Sequence, residues 1–281
     1  MDLIKGKKFD EERALYNIKD TRVEDCIFAG EADGESAFKE AKNIEVASCE
    51  MRLRYPLWHV SNFLFENSKM YDTCRAAIWY AENGKIVNSV LGGIKCLREC
   101  KNILISGCEV NSLEFGWKCE NINIEKSKLT SEYIFFGTKG GKLNDFEMKG
   151  KYSFQYTENL VIENAELDTK DAFWHSKNVT VKNSVIKGEY LAWYSENLTL
   201  IGCKLIGTQP LCYCKGLKLI DCTMENTDLS FEYSEVDATI KGSVMSVKNP
   251  ISGKIVADEI DEILLTDDAI YPCECKIEIR K

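Results

Sequence analysis

The chain has 281 residues, a net charge of −9 at pH 7 and a sequence pI near 5.1. That balance excludes nucleic acid as a partner, because a phosphate backbone needs a basic field. No apolar run approaches the ~18–20 residues that cross a bilayer, which excludes a membrane span.

The chain begins MDLIKGKKFDEERALY, with charges where the apolar stretch of an export signal would stand. A cytoplasmic location is expected. Residues 1–18 read as an N-terminal cap, with a short amphipathic helix over 9–16 (FDEERALY) covering the first coil.

From residue 19 to 234 the chain repeats every 19 residues. Position 5 of the repeat is always apolar (Val23, Val46, Phe65, Ile86, Ile105, Ile124, Leu143, Ile162, Val181, Leu200, Leu219), and so is position 10. Apolar residues at 3 and 5 with polar ones at 4 and 6 follow the two-residue strand period. Position 2 is Asn43, Asn62, Asn83, Asn102, Asn121, Asn159, Asn178 or Asn197, with Gly140 and Gly216 in the same column. Asn and Gly share tolerance of positive φ, so a sharp corner is predicted there, with others at position 7 and at 12–13. Three short strands and three corners per repeat make one coil of a solenoid, each strand pairing in parallel with its equivalent one coil on. Parallel crossovers are right-handed almost without exception.

The predicted fold is therefore all-β, a single-stranded right-handed parallel β-helix of about eleven to twelve coils. One domain spans 1–281: the cap over 1–18, regular coils over 19–234, and the last coil with a C-terminal cap over 235–281. A leucine-rich repeat is disfavoured because its further Leu is replaced by Ser195, Ser176, Cys119 or Cys214 and no convex helix has room. Insertions at Gly30–Gly34 and near Asp72–Cys74 are expected to form loops that wall a groove. Thirteen cysteines are an odd count. Cys26, Cys49, Cys108, Cys203 and Cys222 share position 8 with Ser68, Ser89, Ser127 and Ser184, so reduced, packed thiols are expected.

All five tryptophans fall at position 17 (Trp58, Trp79, Trp117, Trp174, Trp193) and both histidines at position 18 (His59, His175). Strand alternation places 15, 17 and 19 inward, with Trp filling the middle, and 14, 16 and 18 outward. Arg98 and Gln155, also at position 17, suit a core poorly and keep the opposite parity open. Tyr, His, Asp, Glu and Lys alternate at 14 and 18, a mixture that suits a half-wet binding surface. Positions 13–18 of the eight coils between Arg54 and Tyr194 hold seven bases and five acids, a locally positive strip on an acidic protein.

His59 and His175 lie six coils apart, ~29 Å, and cannot share a site. His175 is the better candidate, with Tyr156, Tyr194 and Asp171 as expected neighbours for acid–base work. Asp168, Asp171 and Glu189 lie in adjacent coils, as paired carboxylates for glycoside hydrolysis would. Lys170, with Lys151, Arg75 or Arg98, is placed to serve a lyase. The candidate catalytic residues are His175, Asp171, Glu189, Asp168 and Lys170. The candidate ligand-binding residues are Tyr133, Tyr152, Tyr156, Trp174, Tyr190, Trp193, Tyr194, Arg98 and Lys118. No metal site is expected, since Cys212-Tyr-Cys214 and Cys273-Glu-Cys275 lack partners at zinc spacing. No cofactor is implied, as phosphate-binding and dinucleotide-binding glycine motifs are missing.

The repeats, N-[IVL]-x-[IVL]-x-[NDG]-[CS]-x-[LM], resemble those of the pectin-lyase-like β-helix superfamily. The strings RYPLWH (54–59), KYSFQY (151–156), DTKDAFWHSKNVTV (168–181), GEYLAWYSENLTL (188–200) and GTQPLCYC (207–214) are similar to a bacterial family of single-domain β-helix proteins labelled only as a domain of unknown function. The likeness covers about the whole chain. The wider superfamily includes pectate lyases and polygalacturonases, but their Asp-Asp pair beside a Gly-His-Gly loop is missing here. What the resemblance implies is the fold; fold does not fix function. The expectation is a protein that binds a saccharide or other polyhydroxylated ligand on the third-strand face. Processing by lyase or hydrolase chemistry is left open. The alternative is a non-catalytic scaffold that meets a protein partner or a second copy of itself.

Overall fold

Asparagine at position 2 builds the first corner of each coil. In a computed structural model, which describes residues 1–30 and 35–280, these asparagines sit at φ between 53° and 58°. Their amides also link coil to coil. Asn43 donates to Asp20 at 3.0 Å, Asn62 to Asn43 at 3.0 Å, and Asn121 to Asn102 at 2.8 Å. Asn197 donates to Asn178 at 3.0 Å. One residue type thus relieves backbone strain at the corner and satisfies its neighbour's side chain.

The chain forms two compact units, Met1–Glu147 and Met148–Lys281. In the first, strands Lys42–Ala47, Ser61–Glu66, Glu82–Val87, Lys101–Ser106 and Glu120–Glu125 pair in parallel. The register advances one repeat at a time: Val46↔Phe65, Phe65↔Ile86, Ile86↔Ile105, Ile105↔Ile124. In the second, Glu158–Lys170, Thr180–Lys182, Thr199–Ile201 and Leu217–Glu225 do the same through Ile162↔Val181, Val181↔Leu200 and Leu200↔Leu219. The position-5 and position-10 columns are buried, so apolar alternation alone sets this register. The architecture is a parallel β-solenoid with no helix among the described residues.

The solenoid has about 14 turns, more than the eleven to twelve expected, because the regular coils run past both expected boundaries. Asp2–Lys5 pairs with Lys19–Glu24 (Ile4↔Val23). Beyond residue 234, Glu235–Ile240, Ser252–Ala257 and Lys276–Ile279 continue the ladder. The helix expected over 9–16 does not form. Phe9 ends the strand Lys8–Phe9 and stacks on Phe28. Arg13, Leu15 and Asn17 donate their N–H groups to Glu35, Ala37 and Lys39 of the next coil at 2.8–3.0 Å. Those donors are therefore unavailable for helical bonds. The apolar columns themselves reach this coil, with Ile4 one repeat before Val23 and Phe9 one repeat before Phe28.

Of the insertion expected at Gly30–Gly34, residues 31–34 lie outside the described residues. The other insertion forms a turn in which Cys74 N donates to Tyr71 O at 2.9 Å and Thr73 Oγ1 to Arg52 O at 2.8 Å. Asp72 and Thr73 do line a cleft, of about 330 Å³, with Arg52 and Tyr71.

The Cys/Ser column has a reason beyond small size. Ser68, Ser89 and Ser127 donate to the carbonyl two residues back at 2.7–2.8 Å, and Cys49 and Cys203 do so more weakly at 3.2 and 3.5 Å. The described cysteines are free thiols. Burial pushes Cys49 and Cys74 up to about 12, so these thiols stay protonated and inert.

Candidate functional site

The third side of the coil is not a plain strand. In the coils from Glu114 onward, positions 14, 16 and 18 are all left-handed; in the second unit these are Tyr152, Phe154 and Tyr156; Asp171, Phe173 and His175; Tyr190, Ala192 and Tyr194, at φ 53–62°. Tyr, Phe and Ala do not favour that region; Asp and His tolerate it better. Neighbouring coils impose it through backbone bonds that alternate in direction. Asp171 N and His175 N donate forward to Glu189 O and Trp193 O at 2.9 and 3.0 Å, while Phe173 N donates backward to Ser153 O at 2.8 Å.

Each left-handed residue cancels strand alternation. Positions 15 and 16 are therefore buried together, and 17 and 18 project together. The inward tryptophan column expected from alternation is overturned. Phe135, Phe154, Phe173 and Ala192 at position 16 fill the core, and every Trp lies half-exposed outside it. In the earlier coils only positions 14 and 18 are left-handed, and positions 16–17 form two-residue strands at Leu57–Trp58, Ile78–Trp79 and Leu97–Arg98. There too position 16 is buried and 17 faces out.

With position 17 outside, its two misfits become intelligible. Arg98 is a rung between indoles, its guanidinium 5.9 Å from the Trp79 ring and 5.8 Å from Trp117. Lys39 caps Trp58 at 4.1 Å, so the first unit carries a cation–π ladder. Gln155 imitates a tryptophan: Trp117, Trp174 and Trp193 donate their indole N–H to the carbonyls of Tyr133, Tyr190 and Gln209 at 2.6–2.8 Å. The Gln155 amide makes the same bond to Asp171 O at 3.3 Å. Trp58 and Trp79, whose next coils lack the left-handed residue at position 16, leave their indole N–H without an acceptor.

In the second unit Trp174 and Trp193 stack at 5.5 Å and 3°. Beside them Tyr156, His175, Tyr194 and Tyr213 form a continuous stack at 4.7–5.1 Å, which Tyr233 extends at 5.8 Å. Stacking occupies the ring faces, so these columns present mainly edges to solvent.

The position-14 column is different. It reads Tyr152, Asp171, Tyr190, and the short Asp171 leaves a gap between two tyrosines. The gap is a cleft of about 390 Å³ lined by Tyr152, Lys170, Asp171, Trp174, Tyr190 and Trp193. Lys170 pairs with Glu189 at 2.9 Å and lies 5.2 Å from the Tyr190 ring centre. Asp171 is only 5 % exposed, yet among the described residues its carboxyl meets no hydrogen-bond donor and no cation within ion-pair distance. Burial raises its pKa; Lys170 opposes the shift and Glu189 adds to it.

A raised folded-state pKa means that the folded chain holds the Asp171 proton more tightly than the unfolded chain. This contribution to stability is complete below the unfolded value, near 3.9, and is lost as pH rises through the folded value. Asp171→Asn cannot ionise. It is expected to match the wild type near pH 4 and to exceed it by a margin that grows as pH rises to neutrality. Thermal melts of both proteins from pH 4 to 8 check this; a gap that is constant or shrinks with pH contradicts it.

A family model described as "Protein of unknown function (DUF3737)" matches residues 2–278. The chain belongs to the DUF3737 family. No curated protein matches it. Its fold is similar to that of PfbA, a surface adhesin of Streptococcus pneumoniae, at 9 % identity, with 85 % of this chain and 84 % of that one covered and a TM-score of 0.47. It is similar to the A-module of the mannuronan C-5 epimerase AlgE4 of Azotobacter vinelandii at 7 % identity, 85 % and 89 % coverage and a TM-score of 0.37. It is also similar to the catalytic domain of a GH87 α-1,3-glucanase in complex with nigerose, at 10 % identity, 99 % and 63 % coverage and a TM-score of 0.32.

The DUF3737 chain brings only part of the expected site together. Tyr152, Lys170, Asp171, Trp174, Tyr190 and Trp193 share the cleft, and Glu189 stands at its rim on Lys170. His175, Tyr156 and Tyr194 form the neighbouring stack, but His175 makes no hydrogen bond or ion pair with Asp171. Its contacts are the two flanking rings. The expected convergence of Asp168, Asp171 and Glu189 does not occur. Asp168 lies in the sheet strand Glu158–Lys170 and faces Lys187 at 4.0 Å, while Lys170 holds Glu189. Arg98, Lys118 and Tyr133 belong to the first unit, where Arg98 is bound to Glu99 at 2.9 Å. Sequence reasoning passed over Tyr213 and Tyr233, which extend the phenol stack, and Gln155. Position 18 of the next coil was a usable signal for Tyr213; nothing local marks Gln155 as a stand-in for indole.

Proposed function

We propose that this protein binds a saccharide or similar polyhydroxylated ligand in the cleft over Asp171. The observation that carries the reading is the carboxyl of a residue only 5 % exposed, with no hydrogen-bond or ion-pair partner among the described residues, whose remaining exposure faces an open aromatic-lined cleft. A ligand hydroxyl would donate to this carboxyl in a charge-assisted hydrogen bond. The dimensions suit one sugar ring. Tyr152 and Tyr190 stand two coils apart, ~9.6 Å along the axis, leaving room for one ring-sized group at the level of Asp171. The cleft volume of about 390 Å³ is that of a small-molecule site. Binding without hydrolysis is the better account, because paired-carboxylate chemistry needs two converging acids and Lys170 and Lys187 hold the other two.

Isothermal titration against a panel of neutral, acidic and basic oligosaccharides tests the reading. The wild type is expected to bind at least one class, and Asp171→Asn to weaken that binding about tenfold or more. No binding in any class, or full affinity in Asp171→Asn, argues against it.

One observation favours a second reading. Tyr156 and Tyr194 are 48 % and 44 % exposed, which suits docking of a protein partner or a second copy. A concentration-dependent mass in light scattering that is lost in Tyr156→Asp is the expected signature of self-association.

A further inference from the structure

We infer that the ligand of the Asp171 cleft carries a protonated amine, an amino sugar being the class that fits best. The inference rests on the binding reading above and narrows it by charge. Lys170 and Glu189 neutralise each other at 2.9 Å, which leaves Asp171 as the one charged residue of the cleft lining without an ion-pair partner. The two indole N–H groups that line it are already spent on the carbonyls of Tyr190 and Gln209, so neither is left to receive a uronate or a phosphate. An anionic group placed there would face Asp171.

The walls point the same way. Four of the six lining residues are aromatic, and aromatic rings draw cations and repel anions. This chain already places its own cations on two of them: Lys170 Nζ lies 5.2 Å from the Tyr190 ring centre, and Lys151 Nζ, on the rim beside Asp171's coil, lies 5.6 Å from that of Tyr152. A ligand ammonium over Asp171 would gain a charge-assisted hydrogen bond together with contact to the rings. A neutral hydroxyl would gain only the weaker bond.

The probes are the β-1,4-linked tetramer of glucosamine, its glucose counterpart cellotetraose, and tetragalacturonate, titrated at pH 6.5 into the wild type and Asp171→Asn. The glucosamine tetramer is expected to bind the wild type at least tenfold more tightly than cellotetraose, with tetragalacturonate weakest. In Asp171→Asn the first two are expected to agree within about twofold. Two outcomes overturn the amine inference and leave the binding reading standing. In one, cellotetraose or tetragalacturonate equals or exceeds the glucosamine tetramer and is weakened by Asp171→Asn. In the other, the tenfold advantage persists in Asp171→Asn while both tetramers weaken, so that it reflects only the −9 net charge of the chain. Binding of none of the three, or binding that Asp171→Asn leaves unchanged, overturns the amine inference and counts against the cleft itself.

Discussion

Replacing Gly188 with alanine is expected to cost about 4 kcal/mol and to abolish ligand binding in the same step. Gly188 stands at φ +151°, a region that side chains rarely enter, and an added Cβ would lie 2.0 Å from Thr169 O and 3.0 Å from Lys170 N. Both atoms are backbone, so no side-chain rotation relieves the clash. Strain of ~1–3 kcal/mol at the residue adds to overpacking of similar size. The displaced segment, Thr169–Asp171, carries the cleft acid, which couples the stability loss to the binding loss. Gly202→Asn is the contrast. Gly202 occupies an ordinary corner at φ +59°, where its Cβ would meet only the Asn183 side chain at 3.0 Å, and Asn holds the same corner at 183 and 88. Its expected change is within about 0.5 kcal/mol. Urea titrations of the two variants measure the difference, and comparable losses in both would overturn the argument from backbone contact.

Phe173→Ala is expected to destabilise by about 3–5 kcal/mol. Its ring is fully buried and stacks on Phe154 at 4.9 Å and 8°, and truncation leaves a void that a hydrogen-bonded coil cannot close. Phe173→Leu keeps most of the volume and is expected to lose less than about 1.5 kcal/mol. Trp174→Ala, one residue along but outside the core, is expected to lose markedly less than Phe173→Ala. If the tryptophan substitution proves the costlier in a urea midpoint comparison, the assignment of position 16 to the core and 17 to the surface is wrong.

That assignment is where reading from sequence and the folded molecule part. The 19-residue period, the Asn corners, the buried columns at positions 5 and 10 and the vertical stacking of Trp174 on Trp193 are legible, because each follows from a preference that acts within a few residues. The cleft was legible in part. Tyr152, Lys170, Asp171, Trp174, Tyr190 and Trp193 stand out as chemistry-bearing residues in aligned columns, but their grouping apart from His175 does not. Strand alternation assigns Asp171 and His175 to one side and Trp174 to the other. The fold instead sends Trp174 and His175 out together and leaves Asp171 at the wall between two tyrosines.

The amino-acid sequence by itself determined that this chain coils with a fixed period and that its indoles, phenols and imidazoles fall into rows, since apolar alternation and tolerance of positive φ at Asn are local properties. Only the tertiary structure decided which rows meet solvent. Tyr152, Phe154, Tyr156, Phe173, Tyr190 and Ala192 have no intrinsic preference for the left-handed region. They adopt it because backbone donors and acceptors from the coils on either side must be satisfied, and that demand does not exist until the coils are stacked.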